Sequence, residues 1–130
     1  MTVTKEKIIH TEENHLEKSS ELVRAIYKKL KAEAIKNDKS MVFNPKGKHY
    51  VSMKKGTEKN LAFFHFRKSS MYLVVKLDEK IVRKLVKKST IQSLPESVQK
   101  FWNGASTGLI ISSTDHLKEI VEVLKKLIKQ

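Results

Sequence analysis

The sequence predicts an α+β domain in which N-terminal, middle and C-terminal helices pack on an antiparallel sheet of about four to five strands. Apolar residues recur at helical spacing in those three parts of the chain. Between the first two helical segments lie short runs of strand character, separated by turns of only a few residues. Strands joined by such short connections pair antiparallel. The 130 residues allow one hydrophobic core, so a single domain over residues 1–130 is expected.

The first helical segment begins at Thr11. Ser19 and Ser20 are both suited to cap a helix that starts there, so one long helix and two shorter ones are both compatible with the sequence. Residues 1–10 are polar and are predicted to be a flexible leader or a short leading strand. The apolar positions of the helical segment recur at intervals of three, four and seven: Leu16, Val23, Ile26, Tyr27, Leu30 and Ala34.

Four segments of strand character follow, separated by residues that favour turns. The segments are residues 41–43, 49–54, 61–68 and 71–77. The last of them is apolar almost throughout, which predicts a central strand covered on both faces. In the third, His65 alternates with Phe64 and Phe66, so its side chain is predicted to face the opposite side of the sheet.

The second half of the chain predicts a middle helix, a short helical turn, a further strand and a last helix. The middle helix spans residues 78–88, the turn opens at Pro95, and the strand spans residues 109–112. Ser113 or Thr114 is predicted to cap the last helix. Its buried stripe is predicted to contain Leu117, Ile120, Val121, Leu124, Leu127 and Ile128.

The composition excludes several classes of protein. The absence of cysteine rules out disulfides, cysteine nucleophiles and thiolate zinc sites. No apolar run approaches the roughly 20 residues that a transmembrane helix needs, and the first residues lack the pattern of a signal peptide. We therefore expect a cytoplasmic protein that makes no membrane contact.

The charge balance is the strongest compositional signal. Lys and Arg number 27 against 14 for Asp and Glu, which gives a net charge of +13. Such an excess attracts polyanions at long range, although lysine-rich surfaces also serve solubility alone. Arginine occurs only at Arg24, Arg67 and Arg83. Because lysine acts as a point charge and arginine as a planar fork that reads guanine, the composition favours contact with a nucleic-acid backbone over base reading.

Three basic groups form the candidate nucleic-acid-binding site. They lie around the first predicted turns, at the end of the third strand segment and on the middle helix. If the fold places the turns and the helix at one edge, the groups form a stripe that neutralises several phosphates. The predicted binding residues are Lys46, Lys48, Lys54, Lys55, Arg67, Lys68, Arg83, Lys84, Lys87 and Lys88, with Lys59 and Lys80 beside them.

The aromatic residues of the strands allow two interpretations. Tyr50, Tyr72 and the phenylalanines are candidates to stack on bases, as in proteins that bind single strands. Aromatic residues at alternate strand positions are, however, more often part of the core.

No catalytic, metal or cofactor site is predicted. The histidines at positions 10, 15, 49, 65 and 116 lack metal-ligand spacing. A helix cap explains the Ser113-Thr114-Asp115-His116 sequence, and Asn44-Pro45-Lys46-Gly47 lacks the glycine spacing of a phosphate-binding loop. We therefore expect a non-enzymatic protein.

Six segments of the chain resemble a known family: residues 11–22, 49–55, 60–66, 71–77, 101–104 and 109–128. The family is an uncharacterised bacterial and archaeal one, labelled a domain of unknown function or a "predicted transport protein". It also occurs as a C-terminal appendage of nuclease-like and restriction-type proteins. The resemblance covers residues 8–128 and implies an accessory role near nucleic acid. The chain departs from the family by having less glycine around Trp102 and by being strongly basic.

Two alternative functions remain open. The first is a protein-interaction module, acting as a homodimer or as the partner of a nuclease-like subunit, in which the Phe101-Trp102 corner is exposed. The second is a small-molecule-binding protein with a pocket near Trp102 and His65.

Overall fold

The computed structural model describes residues 11–101 and 104–130, which form five helices and one six-stranded antiparallel sheet. The helices are α1 (Glu12–Leu16), α2 (Glu21–Asn37), α3 (Glu79–Leu85), α4 (Glu96–Phe101) and α5 (Leu117–Ile128). The strands are β1 (Met41–Asn44), β2 (Val51–Lys55), β3 (Asn60–Phe66), β4 (Met71–Val75), β5 (Thr90–Gln92) and β6 (Thr107–Ile111). The predicted α+β class is confirmed, with one strand more than expected. The predicted leader, residues 1–10, lies outside the described residues.

The N-terminal helical segment forms two helices because Ser20 starts a new one. Ser20 has an extended backbone, and its Oγ accepts a hydrogen bond from the N–H of Val23 at 3.3 Å. Thr11 and Asn14 cap α1 reciprocally, each side chain accepting from the other residue's backbone N–H. The buried residues of α2 are those that the spacing predicts: Val23, Ile26, Tyr27, Leu30 and Ala34.

The first four strands form the predicted meander, and the last two extend it out of chain order. The strand order is β1-β2-β3-β4-β6-β5, so β6 lies between β4 and β5. The three-residue edge strand β5 is absent from the sequence-based prediction. Its residues Thr90 and Gln92 are exposed and only Ile91 is partly buried, so its hydrophobic pattern is too weak to predict a strand.

The two faces of the sheet have different roles. Val51, Phe64, Leu73 and Leu109 align across four strands, and all are buried on the face that packs against the helices, which we call the core face. On the opposite side, which we call the outer face, His65 pairs with Tyr72 across β3 and β4. His65 therefore faces away from Phe64, as predicted.

Strand β4 is buried on both faces except at Tyr72, which is partly exposed on the outer face, in agreement with its apolar sequence. Leu73 and Val75 are buried on the core face, and Val74 is buried on the outer face with 1% exposure. Within the part of the chain that the structure describes, no helix combines the length and the apolar character needed to cross a bilayer.

The middle helix is shorter than predicted. Asp78 caps α3 by accepting the N–H of Lys80 at 2.9 Å, and the helix ends at Leu85. Lys87 and Lys88, which the sequence places on this helix, lie instead in the connection to β5.

The last helix begins later than predicted. Position His116 precedes α5 and contributes no side-chain cap. Neither Ser113 nor Thr114 caps the helix, since both lie before the N-cap position. Ser113 Oγ instead accepts the N–H of Asp115 at 3.0 Å within the preceding turn. In the buried stripe, Val123 is fully buried while Val121 is only partly buried. The other five predicted stripe residues are buried: Leu117, Ile120, Leu124, Leu127 and Ile128.

Candidate nucleic-acid interface

The register of the sheet brings two of the predicted basic groups to one end. Val51 pairs with Phe64, and Phe66 pairs with Met71. In antiparallel strands the start of one strand lies beside the end of the next, so the β1–β2 connection (residues 45–50) and the β3–β4 connection (residues 67–70) lie at the same end of the sheet. We call this the loop end. It carries four exposed predicted residues: Lys46, Lys48, Arg67 and Lys68.

Residues of the α1–α2 region hold both connections in place. His15 Nε2 hydrogen-bonds to the carbonyl oxygen of Pro45 at 2.7 Å. Ser19 Oγ donates to the carbonyl oxygen of Arg67 at 2.8 Å. The backbone N–H of Ser20 donates to the carbonyl oxygen of Lys68 at 2.8 Å. The backbone that carries the loop-end cations is therefore fixed before any ligand arrives.

A polar pocket of about 390 Å³ opens between α1 and the β1–β2 connection. Lys18, Lys48 and His49 line it and are exposed, and Glu17 supplies a carboxylate. Two ammonium groups beside one carboxylate favour an anionic ligand, because their fields add over a short distance. The sequence did not single out Lys18, which joins the loop end through the packing of α1.

The rest of the first basic group lies at the opposite end of the sheet. Lys54 and Lys55 are at the far end of β2, and Lys59 follows in the next turn. Five extended residues span roughly 17 Å, so β2 separates these lysines from Lys48. Lys55 is also paired, with its Nζ 3.3 Å from Asp38 Oδ2.

The third basic group leads from α3 into the edge strand β5. On α3, Arg83 Nε donates to Glu79 Oε2 at 2.5 Å, and Lys84 is exposed. Lys87 and Lys88 precede β5, where Thr90 is level with Ile110 of β6 and with Tyr72 of β4. The two lysines therefore lie at the same end of the sheet as the β3–β4 connection, two strand spacings, roughly 10 Å, from β4. The structure therefore brings Lys87 and Lys88 to the same end of the sheet as Lys46, Lys48, Arg67 and Lys68, whereas Lys54 and Lys55 lie at the opposite end.

A carboxylate of α5 accepts hydrogen bonds from the backbone N–H groups around Lys87 and Lys88. Glu119 Oε1 accepts the N–H of Lys87 at 2.9 Å, Oε2 accepts that of Ser89 at 2.7 Å, and both oxygens lie 3.1 Å from the N–H of Lys88. Burial alone would raise the pKa of Glu119, but these backbone hydrogen bonds and one from the Ser89 side chain lower it. This negative charge reduces the field of the two lysines.

Four aromatic side chains cross the outer face, and we call them the outer ring row. The ring centroid of Tyr50 lies 5.1 Å from that of Phe63 and 5.5 Å from that of His65. His65 in turn lies 5.4 Å from Tyr72. Phe63 is buried, whereas the other three rings are partly exposed. The guanidinium carbon of Arg67 lies 5.0 Å from the centroid of the Tyr72 ring, within cation–π distance.

The remaining strand phenylalanines belong to the core. Tyr27 contacts Phe66 at 4.9 Å, Phe64 at 5.4 Å and Phe43 at 6.1 Å between ring centroids, all close to edge-on. The core interpretation is therefore confirmed for these phenylalanines, and the base-stacking interpretation stays a prediction for the aromatic residues of the outer face.

No carboxylate projects from the strands onto the outer face, because none of the six described strands contains Asp or Glu. Burial lowers the pKa of His65, and the charges of Arg67 and His49 lower it further. Hydrogen bonds to backbone groups raise it, but by less. Burial and the charge of Lys59 lower the pKa of Lys76. The lowered pKa of His65 favours its neutral form, so lysine and arginine supply the positive charge of this face.

Two other possible sites have a different character. Among residues 11–101 and 104–130, no three His, Asp or Glu side chains are placed to hold a metal ion. A groove of about 610 Å³ runs between α2 and α5, and four of its charged residues form local ion pairs: Lys29 with Glu33 at 3.5 Å, and Lys125 with Glu122 at 3.2 Å. The groove lies on the helices, on the other side of the sheet from His65. Trp102, the second residue of the expected small-molecule pocket, lies outside the described residues.

Fold and site together define an α+β protein with a helix-braced sheet, a basic loop end and an aromatic outer face. No family model, curated protein or solved structure matches the chain. The resemblance to the uncharacterised "predicted transport protein" family therefore stays a prediction.

Proposed function

We propose that this is a non-enzymatic, cytoplasmic protein that binds the nucleic-acid backbone through its loop end. The observation that carries the proposal is the convergence of exposed cations from three separate segments. Lys18 follows α1, Lys46 and Lys48 lie in the β1–β2 connection, and Arg67 and Lys68 lie in the β3–β4 connection. Such a cluster neutralises neighbouring phosphates and releases the counterions that surround them.

The preorganisation of the loop end supports the proposal. The hydrogen bonds of His15, Ser19 and Ser20 to the two connections fix the backbone around the cations, so less conformational entropy is lost on binding. With five phosphate contacts, the logarithm of the binding constant should fall with the logarithm of salt concentration with a slope of about −4 to −5 on duplex DNA.

A titration of fluorescently labelled DNA and RNA at several salt concentrations tests this function. Replacing Lys46, Lys48 and Lys68 together with Gln should weaken binding and reduce the slope by about 3. The matched control replaces Lys39, Lys59 and Lys80, which are also exposed but lie toward the opposite end of the sheet. Binding without a salt slope, or an equal loss in both triple variants, would contradict a role of the loop end.

A second candidate function rests on Phe101, which is 74% exposed at the end of α4. Large exposed aromatic side chains are enriched in protein interfaces. In this proposal the protein contacts a second copy of itself or another protein, such as a nuclease-like subunit. If the partner is a second copy, light scattering should show a concentration-dependent mass for the wild type and not for Phe101→Ser. If the partner is another protein, a pull-down with Phe101→Ser should lose the partner that the wild type retains.

A further inference from the structure

The two tyrosines of the outer ring row lie against glycines that leave space for them. A Cβ atom at Gly108 would lie 2.6 Å from the Tyr72 hydroxyl oxygen, and one at Gly47 would lie 3.1 Å from Tyr50 Cε1. Each ring therefore lies across a neighbouring stretch of backbone that has no side chain. This packing fixes both rings in place on the outer face while leaving them partly exposed.

Arg67 connects the outer ring row to the loop end. Its backbone belongs to the β3–β4 connection, whereas its guanidinium group lies over the Tyr72 ring. Arginine planes and tyrosine rings are both surfaces on which nucleobases stack. A strand whose phosphates follow the loop end would thus have its bases beside Arg67 and Tyr72.

The chemistry of the outer face fits unpaired bases better than a duplex. Bases within a duplex are stacked on one another, so their faces are not accessible to a ring on a protein surface. The outer face offers ring surfaces and cations, and its strands contain no carboxylate that would repel phosphate. Stacking is also tolerant of base identity, in agreement with a composition poor in arginine.

We propose that the ligand is single-stranded nucleic acid, whose bases stack on the exposed part of the outer ring row around Tyr50, Tyr72 and Arg67. This inference rests on the proposed function and names its substrate class. The loop end supplies the phosphate contacts and the ring row supplies the preference for unpaired bases.

The decisive comparison uses a labelled single strand of about 12 nucleotides, which is within the range of about 4–16 nucleotides that known single-strand-binding domains cover. An abasic strand of the same length has the same phosphates but no bases, and a duplex of the same length has no exposed bases. We expect the base-bearing strand, as DNA or as RNA, to bind at least about 10-fold more tightly than the abasic strand, because each stacked base contributes about 1–3 kcal/mol.

The matched variants are Tyr72→Leu and Tyr72→Phe, with the same pair at Tyr50. The leucine variants should lose about 5-fold or more affinity for the base-bearing strand, which is the lower limit of one stacked base. They should leave binding of the abasic strand unchanged. The phenylalanine variants keep the ring and should keep the affinity.

The outcomes separate this inference from the proposed function. Equal affinity for base-bearing, abasic and duplex ligands, with no effect of Tyr72→Leu, would overturn base stacking and leave backbone binding intact. Absence of salt-dependent binding to every ligand would overturn the proposed function itself.

Photocrosslinking of the unmutated protein covers the case in which a leucine variant fails to fold. A strand that contains 5-iodouridine should attach to the peptide that carries Tyr50 or to the one that carries Tyr72. Attachment confined to α2 or α5 would place the bases on the wrong side of the sheet and refute the proposal.

Discussion

Replacing Glu119 with Gln removes the charge that holds the connection between α3 and β5. The carboxylate accepts the backbone N–H groups of Lys87, Lys88 and Ser89 at 2.7–3.1 Å. A hydrogen bond to a charged group contributes about 1.5–3 kcal/mol, and water can replace part of it because Lys87 and Lys88 are exposed. We therefore expect Glu119→Gln to reduce the free energy of unfolding by about 1.5–2 kcal/mol.

For a chain of 130 residues, a loss of that size lowers the midpoint of thermal unfolding by about 5–7 °C. Thermal and urea unfolding followed by circular dichroism measure it. The control is Glu122→Gln on the same helix, which removes only a surface ion pair with Lys125 at 3.2 Å and should cost under about 0.5 kcal/mol.

The pH dependence tests the cause of the Glu119 effect. Because the pKa of Glu119 is lower in the folded protein than its ordinary value of 4.5, the folded state binds fewer protons there than the unfolded state. Its contribution is complete above pH 4.5 and is lost as the pH falls through the folded-state pKa. The difference between wild type and Glu119→Gln should shrink in that window. Equal stabilities at pH 7, or a difference that stays constant into acid, would refute the reasoning.

Three further predictions concern the faces of the sheet and the α1–α2 pair. Gly108→Ala should destabilise the fold by about 1–3 kcal/mol in calorimetry, and by much less in a Tyr72→Ala background, because the new Cβ lies 2.6 Å from the Tyr72 hydroxyl position. Burial is the main cause of the lowered pKa of His65, so an NMR titration of the folded protein should find a midpoint below 6.5. The free energy of unfolding should fall as the pH drops below 6.5, because the unfolded state then binds more protons than the folded state. A titration midpoint above 6.5 would contradict this prediction. Tyr27→Phe keeps the core rings but loses the hydrogen bond to the Glu12 carboxylate, and should lower the urea midpoint by an amount equivalent to about 1–2 kcal/mol with an unchanged m-value.

The sequence predicts those elements whose burial pattern is strong and local. The stripe of α2 and the alternation in β3 follow from side-chain spacing alone, and both appear as expected. The end of α3 could not be predicted in the same way. Lys87 and Lys88 continue a helical pattern, but Glu119, more than thirty residues later, holds their N–H groups outside the helix. Such a contact leaves no local signal.

The candidate site shows the same limit. Lys48 and Lys54 are close together in the sequence, but the extended strand β2 places them at opposite ends of the sheet. Conversely, Lys18 is distant from both in the chain and joins the loop end because His15 hydrogen-bonds to Pro45. Charge can be counted from the sequence, whereas its grouping depends on strand register and on the docking of α1.

The late position of β6 in the chain has a consequence during synthesis on the ribosome. Until residues 107–111 have emerged, β4 has no neighbour on one side, although its sequence Met71–Val75 is almost wholly apolar. An apolar strand with unpaired backbone groups is a template for pairing with other chains. Nascent chains from which β4 but not yet β6 has emerged should therefore be aggregation-prone. A chaperone that shields β4 would act between the emergence of β4 and that of β6.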